Sequence, residues 1–328
     1  MTFPSAMHMI KMLKEKYPNV VIITGGVHAT LCPQDLLPIS DYVITNEGEN
    51  VIVDVVNGIY NRGIVKGSRI SNLDLLPFPA IHKLYNVNKY RNHDLSIIMS
   101  SRGCPKSCKF CNSFDLWKCK IHRKSTTYFI NEIKHLMNDY KINDFFITDD
   151  AFTCDRDWLY VFLDKVKPLN ITWRCFSRVE AINDEIIDKM IEAGCRHIKV
   201  GIESGSQRIL NMINKGITID EVLRMNEILR NKKIKWSAYF IIGFPTETIE
   251  EIRETQNLIK KLSANSITVN AYTPLPKNRL SDVKVDYAKH SFHSPNNNFT
   301  NCINDNEFKK IFKETLLLAE RNYIEHIF

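Results

Sequence analysis

Three cysteines that lie within eight residues give the strongest chemical signal in this sequence. They are Cys104, Cys108 and Cys111, in the pattern Cys-x3-Cys-x2-Cys. Thiolates this close along the chain can bind one face of a single metal centre, and soft sulfur ligands suit iron–sulfur clusters or zinc. The pattern therefore predicts a metal centre.

The number of protein ligands distinguishes the two kinds of centre. A structural zinc ion or an electron-transfer cluster takes four protein ligands, and the nearest candidates for a fourth are Cys119 and His122. With three ligands, one iron of a four-iron cube stays open for a substrate or cofactor. We keep two interpretations at this point, an open cluster and a zinc knuckle that uses Cys119.

Polar residues also follow later apolar segments, at the points where strands are predicted to end. Charged residues at such points are the positions that a parallel barrel uses for chemistry. The candidates, in chain order, are Asp149, Asp150, Arg178, Glu203, Ser204, Gly243 and Glu247.

Several of these candidates also have a structural explanation. Asp149 or Asp150 could cap a helix or join an ion pair, because carboxylates do both at strand ends. Arg178 could pair with Glu180, and Glu203 could belong to an ordinary ion pair at the barrel mouth. These alternatives stay open on the sequence alone.

A regular alternation of apolar strands and amphipathic helices begins at residue 94, and this spacing predicts parallel βα units. Six such units make a partial (β/α)6 TIM-like barrel with its site at the carboxyl ends of the strands. Strands are predicted at 95–100, 144–148, 171–176, 197–202, 235–242 and 266–271. Helices are predicted at 126–140, 155–167, 183–194, 205–230, 248–263 and 305–327.

Upstream of the barrel, the sequence predicts a shortened doubly wound α/β unit. A helix is expected at 6–16, followed by strands at 20–23 and 41–44. The α/β class therefore combines four regions. They are a truncated α/β segment at 1–56, a connector at 57–93, the barrel at 94–276 and a C-terminal loop and helix at 277–328.

Composition limits the function classes. The chain has 328 residues, 44% of them hydrophobic, and a net charge of +7 without a basic run, which argues against a nucleic-acid partner. No apolar stretch is long enough for a membrane span, and no signal peptide is recognisable, so we expect a cytoplasmic protein. Nine cysteines, an odd number, argue against a disulfide framework.

The three-cysteine loop resembles that of the radical S-adenosylmethionine (SAM) enzymes, and Phe110 matches the aromatic residue common in that loop. The resemblance implies a [4Fe-4S] cluster held by Cys104, Cys108 and Cys111, whose open iron binds SAM. Reductive cleavage of SAM would then give methionine and a 5′-deoxyadenosyl radical. It also implies an external reductant such as flavodoxin or ferredoxin.

The same resemblance implies roles for the strand-end residues. Asp149 and Asp150 lie where the family contacts the SAM amino group, and Arg178 is a candidate for its carboxylate. Glu203 and Ser204 lie where the family contacts the ribose. The part of the sequence that corresponds to the adenine-packing strand contains Ile241 and Gly243.

Two of these assignments have qualifications. Ser204 and Ser206 could simply cap the helix expected at Gln207, an explanation that we favour for Ser206. Glu247 stands one residue later than the family pattern places its glutamate, so we expect Gly243 to act as a turn rather than Glu247 as a ligand.

The segments 20–30 and 41–49 resemble the second half of the cobalamin-binding domain that precedes the barrel in one radical SAM group. That likeness implies cobalamin as a further cofactor. The segment Asp-x-His-x-x-Gly, which supplies the lower axial histidine in that group, is absent, and His28 is expected to be a turn or surface residue. Cobalamin binding by this chain therefore stays open.

We expect a radical SAM enzyme that acts on a small-molecule or peptide substrate by methylation, cyclisation or oxidative rearrangement. One alternative is a tRNA methylthiotransferase-like enzyme, which would need three further cysteines and an RNA-binding module. The other alternative is a zinc-stabilised binding protein without turnover.

Overall fold

The computed structural model describes residues 3–277, 279–280 and 296–325, with the backbone alone for 321–325. Six parallel strands form the main sheet, in the order β11-β10-β9-β8-β7-β4. The strands of the described residues are β1 (Ile23–Thr24), β2 (Tyr42–Thr45), β3 (Gly63–Lys66), β4 (Ile97–Ile98), β5 (Ser101–Arg102), β6 (His122–Arg123), β7 (Asp144–Ile147), β8 (Thr172–Ser177), β9 (Cys195–Glu203), β10 (Lys235–Ile242) and β11 (Ser266–Ala271). The predicted partial barrel is confirmed.

Helices on the outer face connect the strands of the main sheet. The α-helices are α1 (Phe3–Lys16), α2 (Val27–Leu31), α3 (Ile52–Val56), α4 (Asn92–Leu95), α5 (Ser113–Trp117), α6 (Thr126–Tyr140), α7 (Arg156–Val166), α8 (Asp184–Glu192), α9 (Gln207–Met212), α10 (Ile219–Arg230), α11 (Ile249–Ile259) and α12 (Asp305–Glu325).

Side-chain caps fix where the barrel helices begin. Ser125, Asp155 and Asn183 each accept a hydrogen bond from the backbone N–H three residues later. Thr218 and Thr248 form reciprocal capping boxes with the glutamates three residues later. These caps satisfy donors that would otherwise lack partners at the helix N-termini.

Burial alternates along the central strands. On β8, Trp173 and Cys175 are fully buried against the helices, whereas Arg174 and Phe176 are partly exposed on the opposite face. The same alternation runs along β9 and β10. The helix-facing side is therefore a packed core, and the concave side of the sheet is left unfilled.

The predicted helix over 205–230 is wrong as a single element. It is two helices, α9 and α10, separated by a segment in which Asn214 and Gly216 have φ values of 52° and 71°. A left-handed backbone cannot continue an α-helix. The break places Lys215 where a continuous helix could not have placed it.

The first predicted barrel strand is shorter than expected. Residues 95–100 contain the two-residue strand β4, preceded by the helical turn α4. The predicted C-terminal loop lies largely outside the described residues, because 281–295 are not described. The closing helix α12 is confirmed as Asp305–Glu325.

The N-terminal unit is a small parallel sheet in the order β1-β2-β3. Its third strand, β3, lies inside the segment predicted to be a connector, so the sheet continues beyond residue 56. Arg102 of β5 joins this unit to the barrel through ion pairs with Glu47 and with Glu49, the latter at 2.6 Å.

Candidate metal and cofactor site

The loop that carries the three cysteines runs from β5 to α5, next to the carboxyl end of β4. Its entry depends on Gly103, which has a φ of 97°. A Cβ at this position would come within 2.2 Å of the Lys120 carbonyl oxygen and 3.0 Å of Trp117. Glycine is required here by both conformation and space.

The loop brings the three thiols together out of bulk water. Cys104 and Cys108 are buried, and Cys111 is half-buried. Burial raises the pKa of Cys104, and it raises the pKa of Cys111 to about 11. Buried thiols of this kind are inert on their own, and a bound metal favours the thiolate form that they otherwise resist.

The spacing of the sulfur atoms argues against a single metal ion. In the described part of the chain, the three sulfurs do not all lie within 4.8 Å of one another, and neither Cys119 nor His122 completes such a group. A tetrahedral zinc ion with bonds of about 2.3 Å would hold its sulfurs about 3.8 Å apart. A four-iron cube attaches each thiolate to a different iron, so the donor set fits a cluster better than zinc.

Residues from distant parts of the chain hold the loop. The Lys109 N–H donates to the Ile213 carbonyl at 2.8 Å, and Asn214 donates to the Ser107 hydroxyl at 2.8 Å. Arg279 donates to the Cys108 carbonyl at 2.7 Å, and its guanidinium lies 4.3 Å from the ring centroid of Phe114. Sequence reasoning missed Arg279, which carries no motif of its own.

Arg178 lies beside the cysteines, as the sequence predicted, but its donors are used within the protein. The guanidinium binds Glu180 at 2.7 Å and the Lys215 carbonyl at 2.8 Å, and it lies 4.0 Å from the Cys108 sulfur. Burial opposes its charge, but Glu180 and the nearby sulfurs hold its pKa above the ordinary value. The Glu180 pair is the structural alternative that the sequence left open.

Glu203 forms a buried ion pair at the end of β9. Its Oε1 atom accepts a hydrogen bond from Lys215 Nζ at 2.6 Å, and both side chains are at most 10% exposed. Its second carboxylate oxygen has no hydrogen-bond partner among the described residues. Glu203 has a φ of 78°, an uncommon conformation for a residue other than glycine.

Lys215 is the second functional candidate that sequence reasoning missed, because it was assigned to a helical scaffold. The helix break between α9 and α10 directs it to Glu203. Gly201 makes room for the pair, since a Cβ there would lie 2.5 Å from the Glu203 carboxylate and 3.1 Å from Lys215 Nζ.

The adjacent residues Asp149 and Asp150 have different hydrogen-bond partners. Asp149 is buried and accepts hydrogen bonds from the Ser100 N–H at 2.7 Å and from the hydroxyls of Ser100 and Ser101 at 2.5 Å. Asp150 is exposed and accepts from the Ser113 hydroxyl at 3.1 Å. Asp149 therefore braces the start of the loop, whereas Asp150 faces the cysteine side.

Ser204 is fully buried and points away from the loop. Its hydroxyl accepts from the Ser206 N–H at 3.1 Å and contacts the Thr255 hydroxyl at 3.4 Å. Ser206 occupies the N-cap position of α9, but its hydroxyl donates to Glu251 at 3.2 Å and makes no cap bond. The expected cap by Ser206 is wrong.

Gly243 forms the turn after β10, with a φ of 85°, and Ile241 precedes it as a half-buried residue. The N–H groups of Gly243 and Phe244 donate to Glu247 Oε2 at 2.5 and 3.0 Å. Burial raises the pKa of Glu247 to about 8. Glu247 supports the turn from inside the protein.

A search against protein-family models matches residues 98–259 to the Radical SAM superfamily. The matched range contains the three cysteines and the strand ends described above. The chain belongs to the radical SAM superfamily.

Curated relatives of this radical SAM chain match across its length. An uncharacterized methyltransferase of Pyrococcus horikoshii is 30% identical in an alignment 300 positions long that covers 84% of this chain and 65% of the relative. An anaerobic magnesium-protoporphyrin IX monomethyl ester cyclase of Rubrivivax gelatinosus is 25% identical over 323 residues, covering 87% of this chain and 58% of the cyclase. The chain thus spans about three fifths of the length of these relatives.

Solved structures show the same radical SAM fold. The methyltransferase TsrM of Kitasatospora setae, solved with tryptophan and a SAM analogue, superposes with a TM-score of 0.67 at 17% identity, covering 81% of this chain and 59% of TsrM. OxsB, solved with aqua-cobalamin and SAM, gives a TM-score of 0.63 at 14% identity, covering 98% of this chain and 46% of OxsB.

The described part of the N-terminal unit contains two histidines, His8 and His28. His28 Nε2 lies 2.9 Å from Asp35, and its ring stacks on Phe3 at 3.8 Å. His8, the other histidine of the unit, lies exposed on α1. A cavity of about 380 Å³ separates the unit from α5, and it is lined by Thr30, Asn46, Glu47, Lys66, Gly67, Ser68, Arg69, Leu116 and Trp117.

None of the helices in the described ranges combines the length and apolarity that crossing a lipid bilayer requires.

Proposed function

We propose that this chain binds a [4Fe-4S] cluster through Cys104, Cys108 and Cys111 and uses it to cleave SAM reductively. The observation that carries the proposal is a loop at the carboxyl ends of parallel strands that holds three buried or half-buried thiols. When bound, such a cluster with one open iron supplies the electron that converts SAM to methionine and a 5′-deoxyadenosyl radical.

The contacts around the loop support a rigid binding site. Arg279, Asn214 and the backbone of Ile213 fix the loop from the barrel side, and Asp149 fixes its start. Groups held in this way need little rearrangement when a cofactor binds, which favours affinity and a fixed orientation. The positive charge of Arg178 near Cys108 favours a negatively charged cluster.

We assign the SAM contacts to the Glu203–Lys215 pair and to Asp150. The unbonded oxygen of Glu203 can accept hydrogen bonds from ribose hydroxyls, while Lys215 fixes the other oxygen. Asp150 can accept from the SAM ammonium group on the cysteine side. The backbone from Ile241 to Gly243 provides an edge for the adenine. Asp149, Ser204 and Arg178 have their polar atoms engaged by the protein and act as supports.

The proposed reaction class is methyl transfer or ring closure on an organic substrate, because the relatives include a methyltransferase and a cyclase. A low-potential reductant such as flavodoxin or ferredoxin would supply electrons. Cobalamin is not part of the proposal, because the sequence lacks the Asp-x-His-x-x-Gly segment that the resemblance associates with the lower axial histidine.

Anaerobic reconstitution tests the proposal. Wild-type protein is expected to bind about four irons and four sulfides per chain, and to form 5′-deoxyadenosine from SAM with dithionite. The variants Cys104→Ser, Cys108→Ser and Cys111→Ser are expected to lose both properties. Chromatography of 5′-deoxyadenosine and iron analysis give the two readouts.

Cys119→Ser is the matched control. It removes the nearest other thiol, which is not grouped with the three cysteines, so cluster content and cleavage should persist. Loss of metal binding in Cys119→Ser, with zinc as the bound metal, would instead support the zinc-knuckle interpretation.

A further inference from the structure

The concave face of the main sheet is an unfilled surface beneath the strand ends. On β9, Ile198 and Val200 are fully buried against the helices, while His197 and Lys199 on the opposite face stay partly exposed. The alternation on β8 and β10 likewise leaves residues of this face partly exposed in the described part of the chain. These side chains are therefore accessible to a small molecule.

Lys199 lies in the middle of this face without an anionic partner in the described chain. Its ammonium group makes no hydrogen bond or ion pair there. It lies 4.6 Å from the ring centroid of Phe146 and 5.7 Å from that of Phe176. Burial and the nearby charge of Arg174 lower its pKa. A half-buried, unpaired ammonium is costly and marks a place where an anion would be stabilising.

The groups around Lys199 do not neutralise it. Arg174 is a second cation, and it is already paired with Asp144 at 3.3 Å. His197 bonds Ser237 at 2.7 Å, and burial together with the neighbouring cations lowers its pKa to about 4. The hydroxyl of Tyr239 has no hydrogen-bond partner among the described residues and is free to donate.

The position of Lys199 connects this face to the proposed SAM site. Gly201 follows two residues later on the same face, and Glu203 ends the strand. At about 3.3 Å per residue, the Cα atoms of Lys199 and Glu203 are about 13 Å apart. The Glu203 carboxylate and Lys215 Nζ lie over Gly201, which is paired with Tyr239 on β10.

We propose that Lys199 and Tyr239 bind the oxyanion of a small organic substrate, a carboxylate or a phosphate, whose flat apolar part packs on Phe146 and Phe176. The proposal rests on the proposed function and names its substrate class. The aromatic rings supply apolar contact, and the Lys199 ammonium and the Tyr239 hydroxyl supply two donors on the same face of the sheet. The length of the face places the reacting part of such a substrate toward Glu203 and the cysteine loop.

Binding of three matched probes tests the proposal by calorimetry on reconstituted protein. The probes are 2-naphthoate, 2-naphthyl phosphate and the uncharged 2-naphthamide. At least one anion is expected to bind wild type about tenfold or more tightly than the amide. Lys199→Met should remove that preference, and Lys199→Arg should retain most of it. The tighter of the two anions identifies the acid group.

Lys189→Met is the matched control. Lys189 also lies over an aromatic ring, 5.2 Å from the Tyr160 centroid, but on the outer surface. It should bind the probes as wild type does. Equal binding of anion and amide to wild type, an unchanged preference in Lys199→Met, or a Kd above about 1 mM for both anions would overturn the proposal.

Wild-type 5′-deoxyadenosine formation is measured on the same preparation. Its absence would count against the proposed function, whereas the probe results test the anion site alone.

Discussion

Charged side chains are paired at the rim of the barrel, whereas the concave face below the rim carries a lysine without an anionic partner among the described residues. At the rim, Glu203 is paired with Lys215, Arg178 with Glu180, and Asp149 with three donors near the cysteine loop. On the concave face, Lys199 lies over two aromatic rings and has no anionic partner in the described part of the chain. The charged groups of the rim are thus paired before any ligand binds. The Lys199 ammonium on the concave face has no such partner within the described ranges.

This difference separates two tasks within one barrel. A site that holds a cofactor in a fixed orientation benefits from side chains that are already fixed by one another. A site that selects a substrate gains affinity from a charged side chain when only the substrate supplies the opposite charge. We therefore expect substitutions at the rim to damage structure and cofactor binding, and substitutions on the face to change ligand binding alone.

The largest effect is expected at Gly103, where the rim leaves no space for a Cβ atom. Gly103→Ala adds a Cβ 2.2 Å from the Lys120 carbonyl oxygen in a backbone with a φ of 97°. The loop must shift, so iron binding after reconstitution should fall to the level of the cysteine variants. Iron and sulfide analysis measures the effect.

Gly58→Ala is the control for backbone strain. Gly58 has a φ of 73° with nothing within 4 Å of the added Cβ, so this variant should keep its cluster. Normal cluster content in Gly103→Ala would show that the loop is not constrained as described.

A comparison of two lysines sharpens the contrast between rim and face. Lys215→Met leaves the Glu203 carboxylate without its partner in a buried position. The free energy of unfolding should fall by about 3 kcal/mol. Lys199→Met removes a half-buried charge that has no partner, so stability should stay the same or rise. Urea denaturation of both variants measures the two changes, and equal losses would contradict the comparison.

A moderate effect is expected for Glu203→Gln. The amide removes the charge that we propose accepts hydrogen bonds from SAM, while the shape is kept. SAM affinity should fall about tenfold, the value for a lost charge-assisted hydrogen bond, with unchanged iron content. Calorimetry with SAM gives the measurement.

Glu221→Gln serves as its control, because Glu221 belongs to the capping box of α10 outside the site. Unaltered SAM affinity in Glu203→Gln would show that Glu203 does not bind SAM and serves only as the ion-pair partner of Lys215.

The smallest expected effect is the contribution of Glu247 to the pH dependence of stability. The pKa of Glu247 is about 8 in the folded protein against an ordinary value of 4.5, chiefly because of burial. The folded state therefore holds a proton that the unfolded state releases, and stability from this group declines as pH rises from about 5 to 8. Glu247→Gln should flatten that decline in Tm. An identical pH profile in the variant would contradict a buried, protonated Glu247.

Much of the barrel could be predicted because its signals are local. The alternation of apolar strands with helices predicted six parallel strands, and all six are present in the order of an open barrel. The helix expected at 126–140 begins and ends as predicted, because Ser125 caps it and Lys141 leaves the helical conformation with a φ of 57°. Strand β3 was missed, because four residues with one buried side chain give no clear pattern.

The candidate site was predictable only in part. The three cysteines were recognised from their spacing, and Gly243 was recognised as a turn. Asp149 and Ser204 were expected to contact SAM, but in the fold their polar atoms bond to the chain itself. Whether a strand-end side chain points to the mouth or back into the protein depends on neighbouring strands, which a single segment does not reveal.

The amino-acid sequence alone determined the architecture and supplied the candidate ligand set, because hydrophobic periodicity and thiol spacing are properties of short segments. Only the tertiary structure decided which charges are paired. Lys215 reaches Glu203 through a break between two helices, and Arg279 reaches the cysteine loop from about 170 residues away, a separation at which only packing brings groups together. In the described ranges, the same packing left Lys199 without an anionic partner, and this is the feature from which we inferred a substrate class.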